Sequence, residues 1–237
     1  MKLLCLGLFL SINLFASPLD AYREANETYQ KGNYEGAIEG YSKILREVGD
    51  NADVHYNLGN SYFRNEKWGL ALYHFRKALE LRPRDPDMRF NLNYARERAT
   101  DKIETRGFRI LSLTADYLTQ REWLTLLAML SLVGSVLSIL QFFRPRDSVL
   151  VIRNLCGALF LVSSVCAFGQ FSHPNPFGVV IEQEAKVLSG VGRDNVLLFT
   201  LHEGAEFDTL SSDEEGWIQI EIADGKRGWL RRSAAKL

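Results

Sequence analysis

The stretch NLGNSYFRNEKWGLALYHFRKALELRPRD, Asn57 to Asp85, decides how the N-terminal third of the chain is read. Moved back by 34 residues, it falls on an earlier segment of the same texture. Tyr22 meets Tyr56, Asn26 meets Asn60, and Tyr29 meets Phe63. Further on, Tyr34 meets Trp68, Ala37 meets Ala71, Tyr41 meets Phe75, and Leu45 meets Leu79. A second shift brings Tyr56 onto Phe90, Asn57 onto Asn91 and Leu58 onto Leu92. A fixed period of this size marks a solenoid of helix pairs, because no single unit can bury its apolar face alone.

Within each unit the apolar residues recur at helical spacing in two runs. Leu58, Tyr62 and Phe63 belong to the first run; Ala71, Phe75, Ala78 and Leu79 belong to the second. The small Gly59 and Ala71 let two helices approach closely. Gly32 suits a left-handed turn after the first helix, and in the next unit Glu66 takes that place. Pro83 stops the second helix. From Pro86 the chain keeps a first helix and loses the second. The predicted units are therefore 18–51, 52–85 and a partial 86–105. So short an array is near the lower limit of stability. It should lean on something: the membrane, a helix after Thr105, or a partner.

The pattern NLGNSYFRNEKWGLALYHFRKALELRP resembles the tetratricopeptide repeat. The resemblance implies that the first helix of each unit lines a concave groove. Those faces would offer Tyr22, Asn26, Tyr29, Tyr56, Asn57, Asn60, Phe63, Arg64, Phe90, Asn91 and Tyr94. Asn amides can hold an extended peptide backbone, and aromatic rings supply rigid contact area. The alternative is that many of these rings only seal helix packing. One subclass of such repeats grips a carboxylate with basic residues. Here Tyr22 and Asp87 stand where that clamp wants Lys, which argues against that ligand.

Charge is segregated along the 237 residues, although the formal net charge is only -1. That balance carries no nucleic-acid signature. Trp123–Phe143 holds no charge over 21 residues, enough for a helix of about 30 Å, the thickness of a bilayer's apolar core. Val151–Phe171 is a second such stretch, with Arg153 near its start where it can snorkel. Gly134, Ser135 and Ser138 in one, and Gly157, Ala158, Ser163 and Ser164 in the other, would let the two helices pack closely. Arg144, Arg146 and Arg153 make the connecting hairpin basic, which places it in the cytoplasm and both flanks outside. Residues 1–16 have the layout of a signal peptide, with an apolar run from Leu3 to Phe15 followed by small Ala16 and Ser17. Leu14 makes the cleavage site imperfect, so a retained anchor is the alternative. Export agrees with the hairpin on topology.

After residue 178 the texture turns to short β-rich runs. In WIQIEI, Trp217, Gln219 and Glu221 share one face and Ile218, Ile220 and Ile222 the other. Asp224-Gly225 is tight-hairpin chemistry. Several strands in so few residues imply a small barrel. HEG, GW and DGKRGW together resemble the bacterial SH3 domain over 179–237. The resemblance implies an aromatic peptide groove of Phe207, Trp217 and Trp229; the alternative is that the tryptophans fill the core. Some bacterial relatives bind cell-wall peptides.

His55, His74, His173 and His202 lie far apart, without neighbours at metal spacing. Cys5, Cys156 and Cys166 lie in apolar segments and form no disulfide framework or zinc motif. There is no phosphate loop or nucleophile motif. The expectation is no catalysis, no metal and no cofactor. The fold class is a multidomain membrane protein: an all-α tetratricopeptide-repeat solenoid, two transmembrane helices, and a C-terminal all-β SH3-like barrel. This order of parts resembles the BatE-type proteins of the Bacteroides-aerotolerance (Bat) group. The resemblance implies a scaffold in the envelope, at the inner membrane with both soluble parts in the periplasm. Its implied partners are von Willebrand A-domain membrane proteins and the lipid bilayer. Peptidoglycan is the alternative ligand, through the SH3-like part.

Overall fold

The computed structural model describes residues 17–101, 120–172, 177–191, 195–213 and 215–237. The expected signal peptide, 1–16, and the end of the partial third unit, 102–105, lie outside the described residues. The array comprises α1 (Pro18–Gln30), α2 (Tyr34–Val48), α3 (Ala52–Arg64), α4 (Trp68–Leu81) and α5 (Pro86–Arg96). Ser17, Asn51 and Asp85 cap α1, α3 and α5. Their side-chain oxygens accept from Asp20, from Asp53 and Val54, and from Asp87 and Met88 backbone N–H groups. The caps thus share the 34-residue period, and each is worth about 1 kcal/mol. The turn after α1 has Gly32 at φ +78°, and the matching turn after α3 has Glu66 at φ +57°. A side chain in that left-handed region costs roughly 1–2 kcal/mol.

Gly59 does bring α3 and α4 together: a Cβ there would lie 2.7 Å from Cδ1 of Phe75. The first seam buries Ala25, Ala37, Tyr41, Ile44, Val54 and Leu58. The second buries Ala71, Leu72, Tyr73, Phe75, Leu92 and Ala95, and it recruits Phe177 and Val179 from the far end of the chain.

Two long helices follow, α6 (Gln120–Phe143) and α7 (Asp147–Ser172), packed on each other. Arg121–Phe143 and Asp147–Ala167 are long and apolar enough to cross a membrane. Their large side chains point outward, with Leu132 at 68% and Leu161 at 66% exposure. At Gly134 and Gly157 the expected close approach of the two helices does not occur. Nothing lies within 4 Å of a Cβ built at Gly134 or Gly157. Ser135, Ser138 and Ser164 donate to carbonyls one turn back in their own helices.

The C-terminal part is one antiparallel sheet in the order β3-β2-β6-β5-β4-β1-β7. Its strands are β1 (Phe177–Val180), β2 (Glu184–Leu188), β3 (Leu197–His202), β4 (Glu206–Ser212), β5 (Trp217–Glu221), β6 (Arg227–Arg231) and β7 (Ala235–Lys236). Asp224-Gly225 turns the β5–β6 hairpin, with Gly225 at φ +87°. As the alternation requires, Ile218, Ile220 and Ile222 enter the core. There they meet Val187, Leu201, Phe207 and Leu230 from four other strands, so the sheet curls around them. The expected closed barrel needs correction. Among the described residues no ladder joins β3 to β7; there β3 pairs only with β2, and the two-residue β7 pairs only with β1. So short a strand offers too few backbone groups to close the ring.

The array leans on this sheet. Glu206 of β4 accepts from Arg76 Nη1 at 2.5 Å, from Arg96 Nε at 2.6 Å and from Arg96 Nη2 at 3.0 Å. Gly69 donates its N–H to Glu203 at 2.9 Å; a Cβ on Gly69 would sit 2.3 Å from the Val180 carbonyl oxygen. Asp101 accepts from the His202 backbone N–H at 2.6 Å and lies 2.9 Å from its Nδ1. Tyr73 donates its hydroxyl to the Leu237 carbonyl at 2.8 Å. Burial alone would raise the Glu206 carboxyl; the hydrogen bonds and charges of Arg96 and Arg76 outweigh it and hold its pKa below the ordinary value.

A second buried polar contact joins α3 to α4. His55 and His74 face each other with Nδ1 atoms 2.9 Å apart and rings stacked at 5.2 Å. One Nδ1 must donate and the other accept, so the neutral pair shares a single proton there. Burial lowers the pKa of both, and for His74 the charges of His55, Lys236 and Lys77 lower it further. Around them stand Asp50, which bonds His55 Nε2 at 3.2 Å, and Lys77, Glu80, Lys236, Tyr62 and Tyr73.

Glu206→Ala is expected to destabilise the docked unit by about 2 kcal/mol, in the range for bonds to a charged group. The loss stays below that of a fully buried pair because both arginines are about a third exposed and can turn to water. Urea unfolding checks it. The histidines bind protons more readily unfolded than folded, so stability should fall as pH drops below about 6.5. Thermal unfolding between pH 5 and pH 7.5 should show that slope, flattened in His74→Phe.

Candidate functional site

The first helices α1, α3 and α5 line up side by side, and their facing residues form a ladder. Asn57 Nδ2 donates to the Tyr22 hydroxyl at 2.8 Å and to Asn26 Oδ1 at 3.1 Å. One unit later, Asn91 Nδ2 donates to the Tyr56 hydroxyl at 2.8 Å and to Asn60 Oδ1 at 3.1 Å. These six are among the residues expected to hold a peptide. The amide donors of Asn57 and Asn91 are instead engaged between units, with Asn26 and Asn60 accepting through Oδ1, which sets the spacing of the helices. Tyr41 of α2 completes the first rung by donating its hydroxyl to Asn26 Oδ1 at 2.5 Å. Burial pushes the Tyr41 phenol well up, so it remains the donor. Burial also raises the phenols of Tyr22 and Tyr29.

Beside the first rung lies a cavity of about 270 Å³ lined by Asn26, Tyr29, Gln30, Tyr41, Asn57 and Asn60. Four of these were expected from sequence; Gln30 and Tyr41 were not. The lining holds no formal charge, so it suits neutral hydrogen-bonding groups and apolar contact.

At the other end of the row the ladder stops. Phe90 stands at the place of Tyr56 but has no hydroxyl to offer. It stacks on Tyr94 at 6.3 Å and is 68% exposed. Phe63 packs between Trp68, at 4.9 Å, and Tyr94, at 5.3 Å. Arg64 lies over the Tyr34 ring at 5.2 Å, and Tyr34 in turn meets Tyr29 of the cavity wall at 5.4 Å.

The aromatic set proposed for the sheet does not assemble. Phe207 is 4% exposed, packed in the core over Gly178, where a Cβ would come within 2.2 Å of its ring. Its side chain faces away from any outer groove, so that expectation is corrected. Trp217 and Trp229 do share the opposite face, since Gln219 pairs with Trp229 and Trp217 with Arg231. Trp217 is nearly buried under the Arg231 guanidinium at 4.2 Å, and Trp229 is half-buried.

Residues 52–85 match the family described as tetratricopeptide repeat, and residues 25–66 match a TPR repeat family. The helices within residues 25–85 are tetratricopeptide repeats. Such repeats are protein-interaction modules, so the chain carries a scaffold for protein partners. No curated protein matches the chain. Among the described residues no three of His, Cys, Asp and Glu converge as a metal site requires.

The clasp residues Arg76 and Arg96 escaped the reading from sequence. The available signal was their departure from the repeat: Ser42 precedes Arg76 by one period, and Thr28 and Tyr62 precede Arg96. A charge where sister units carry neutral residues marks a contact that only one unit makes.

Asn57→Ala removes both bonds of the first rung and is expected to cost about 1–2 kcal/mol, from two net hydrogen bonds in a part-buried site. Asn91→Ala should cost a similar amount at the second rung. Chemical denaturation of both variants checks that the ladder spans both seams.

Proposed function

We propose that this protein is a non-enzymatic scaffold at the inner membrane, holding an envelope protein partner in its repeat groove. One observation carries the reading. The sheet docks through Gly69, Tyr73, Arg76, Arg96, Ala99 and Asp101, and none of these lines the cavity. The groove is braced and still open. In this reading α6 and α7 anchor the unit in the bilayer, the basic hairpin faces the cytoplasm, and both modules stand in the periplasm. Arg84, in the α4–α5 loop, pairs with Glu122 at the start of α6, which supports a unit held close to the anchor. A role in a Bat-type complex linked to aerotolerance, with von Willebrand A-domain membrane proteins as partners, is the specific form proposed.

The second reading is a tether gripping peptidoglycan peptides through the sheet. The shared face of Trp229 and Trp217 favours it. Sedimentation of the full chain in detergent with purified wall material separates the two, since a scaffold alone stays in solution.

A photocrosslinker at Asn60, in intact membranes, should capture one defined envelope protein. The same probe at exposed Lys43 should not. Equal capture at both positions overturns the groove assignment. Protease added to spheroplasts should cleave on both flanks of the α6–α7 hairpin; cleavage at its arginine-bearing tip alone overturns the topology.

A further inference from the structure

The cation-on-ring contact of the groove recurs with the repeat. Arg64, the last residue of α3, lies over Tyr34, which opens α2, at 5.2 Å. One period later Arg98, just beyond α5, lies over Trp68, which opens α4, at 5.9 Å. Arg98 also lies 5.5 Å from the Tyr94 ring and donates Nη2 to the Tyr94 hydroxyl at 3.1 Å. The equivalent residue of the first unit is Gln30, which lines the cavity. A single row, Gln30, Arg64 and Arg98, therefore runs along one margin of the groove.

Both arginines are exposed, and neither has a carboxylate within ion-pair distance among the described residues. Other guanidiniums of the array do have one. Arg76 and Arg96 hold Glu206, Arg82 holds Asp53 through both nitrogens, and Arg84 holds Glu122. Arg64 and Arg98, without such an acid, each lie over an aromatic ring at the same place in the repeat period. Stacking fixes the guanidinium plane and leaves its N–H edge to bond outward, so less rotamer freedom is lost when an acid arrives.

We propose that Arg64 and Arg98 form an acid-reading margin, and that the partner enters the groove as an extended segment carrying carboxylates at matching spacing. This deepens the groove reading and rests on it. Packed helices stand about 10 Å apart, and a chain in the extended polyproline II form covers about 9 Å in three residues, one full turn, so that residues three apart share a face. Acidic residues three apart would meet successive arginines. The intervening side chains would face Phe63, Phe90 and Tyr94, so apolar or aromatic residues belong between the acids. The neutral cavity at the α1–α3 end takes the uncharged end of the segment.

The test uses full-length protein in detergent and fluorescence anisotropy. The probes are three synthetic peptides of equal length, alternating Tyr and Gly between every third position, which is Glu, Gln or Lys. The Glu peptide should bind about 25-fold more tightly than the Gln peptide, about fivefold for each exposed pair. The Lys peptide should bind weakest. High salt should narrow the gap. In Arg64→Gln with Arg98→Gln, Glu and Gln peptides should bind alike. Arg64→Lys with Arg98→Lys should keep the preference for Glu with weaker binding. Equal binding of Glu and Gln peptides to the native chain overturns the acid-reading margin and leaves the groove. A preference for Glu that survives the double Gln variant also overturns it. Binding of none of the three rejects the groove itself, and the margin with it.

Discussion

A stack of helix pairs must cover the flank of its last helix, and here that requirement falls on the sheet. α5 has no second helix of its own unit beside it among the described residues. The β-sheet stands against the start of α4 and the end of α5 instead. Glu206 sits between Arg76 and Arg96, and Phe177 and Val179 enter the second core of the array. Taking one carboxylate out of water is unfavourable unless its oxygens are fully met. Two guanidiniums meet them, so the contact is specific as well as adhesive. Gly69 and Gly204 admit it, because a side chain at either would strike the opposing backbone or Ala99.

The groove owes its shape to the interunit ladder. Tyr22, Asn26 and Asn57, then Tyr56, Asn60 and Asn91, make the same two bonds one period apart. Neutral amides suit that task. They tie helices together without the desolvation cost of ions. The cavity beside the first rung is the space that this spacing leaves between α1 and α3.

The two ends of the groove differ in chemistry. The α1–α3 end is a neutral, open-mouthed cavity; the α5 end is aromatic, exposed and bordered by cations. A partner read by both would be held in one direction. The brace at α4 and α5 supports the aromatic end directly, which connects the fold of the C-terminal sheet to the geometry of a site it does not touch.

Repeat period, helix pairs, apolar spans and the β-rich C-terminal part were all legible in the residues, because each is a local periodicity: 34 for the units, 3.6 for the helices, 2 for the strands. Even the caps at Ser17, Asn51 and Asp85 follow that register. Most groove residues were also placed on the right helices by period alone. Period could not say that the Asn side chains would bond one another. Nor could it say that Phe207 would turn inward, that the sheet would stay open at β3 and β7, or that Gly134 and Gly157 would face empty space. Those outcomes depend on which distant surfaces meet. The pairing of Glu206 with Arg76 and Arg96 joins residues 110 to 130 positions apart. No repeat or hydropathy pattern encodes such a contact; it exists only once two separately folded surfaces, each with its own local order, are brought together.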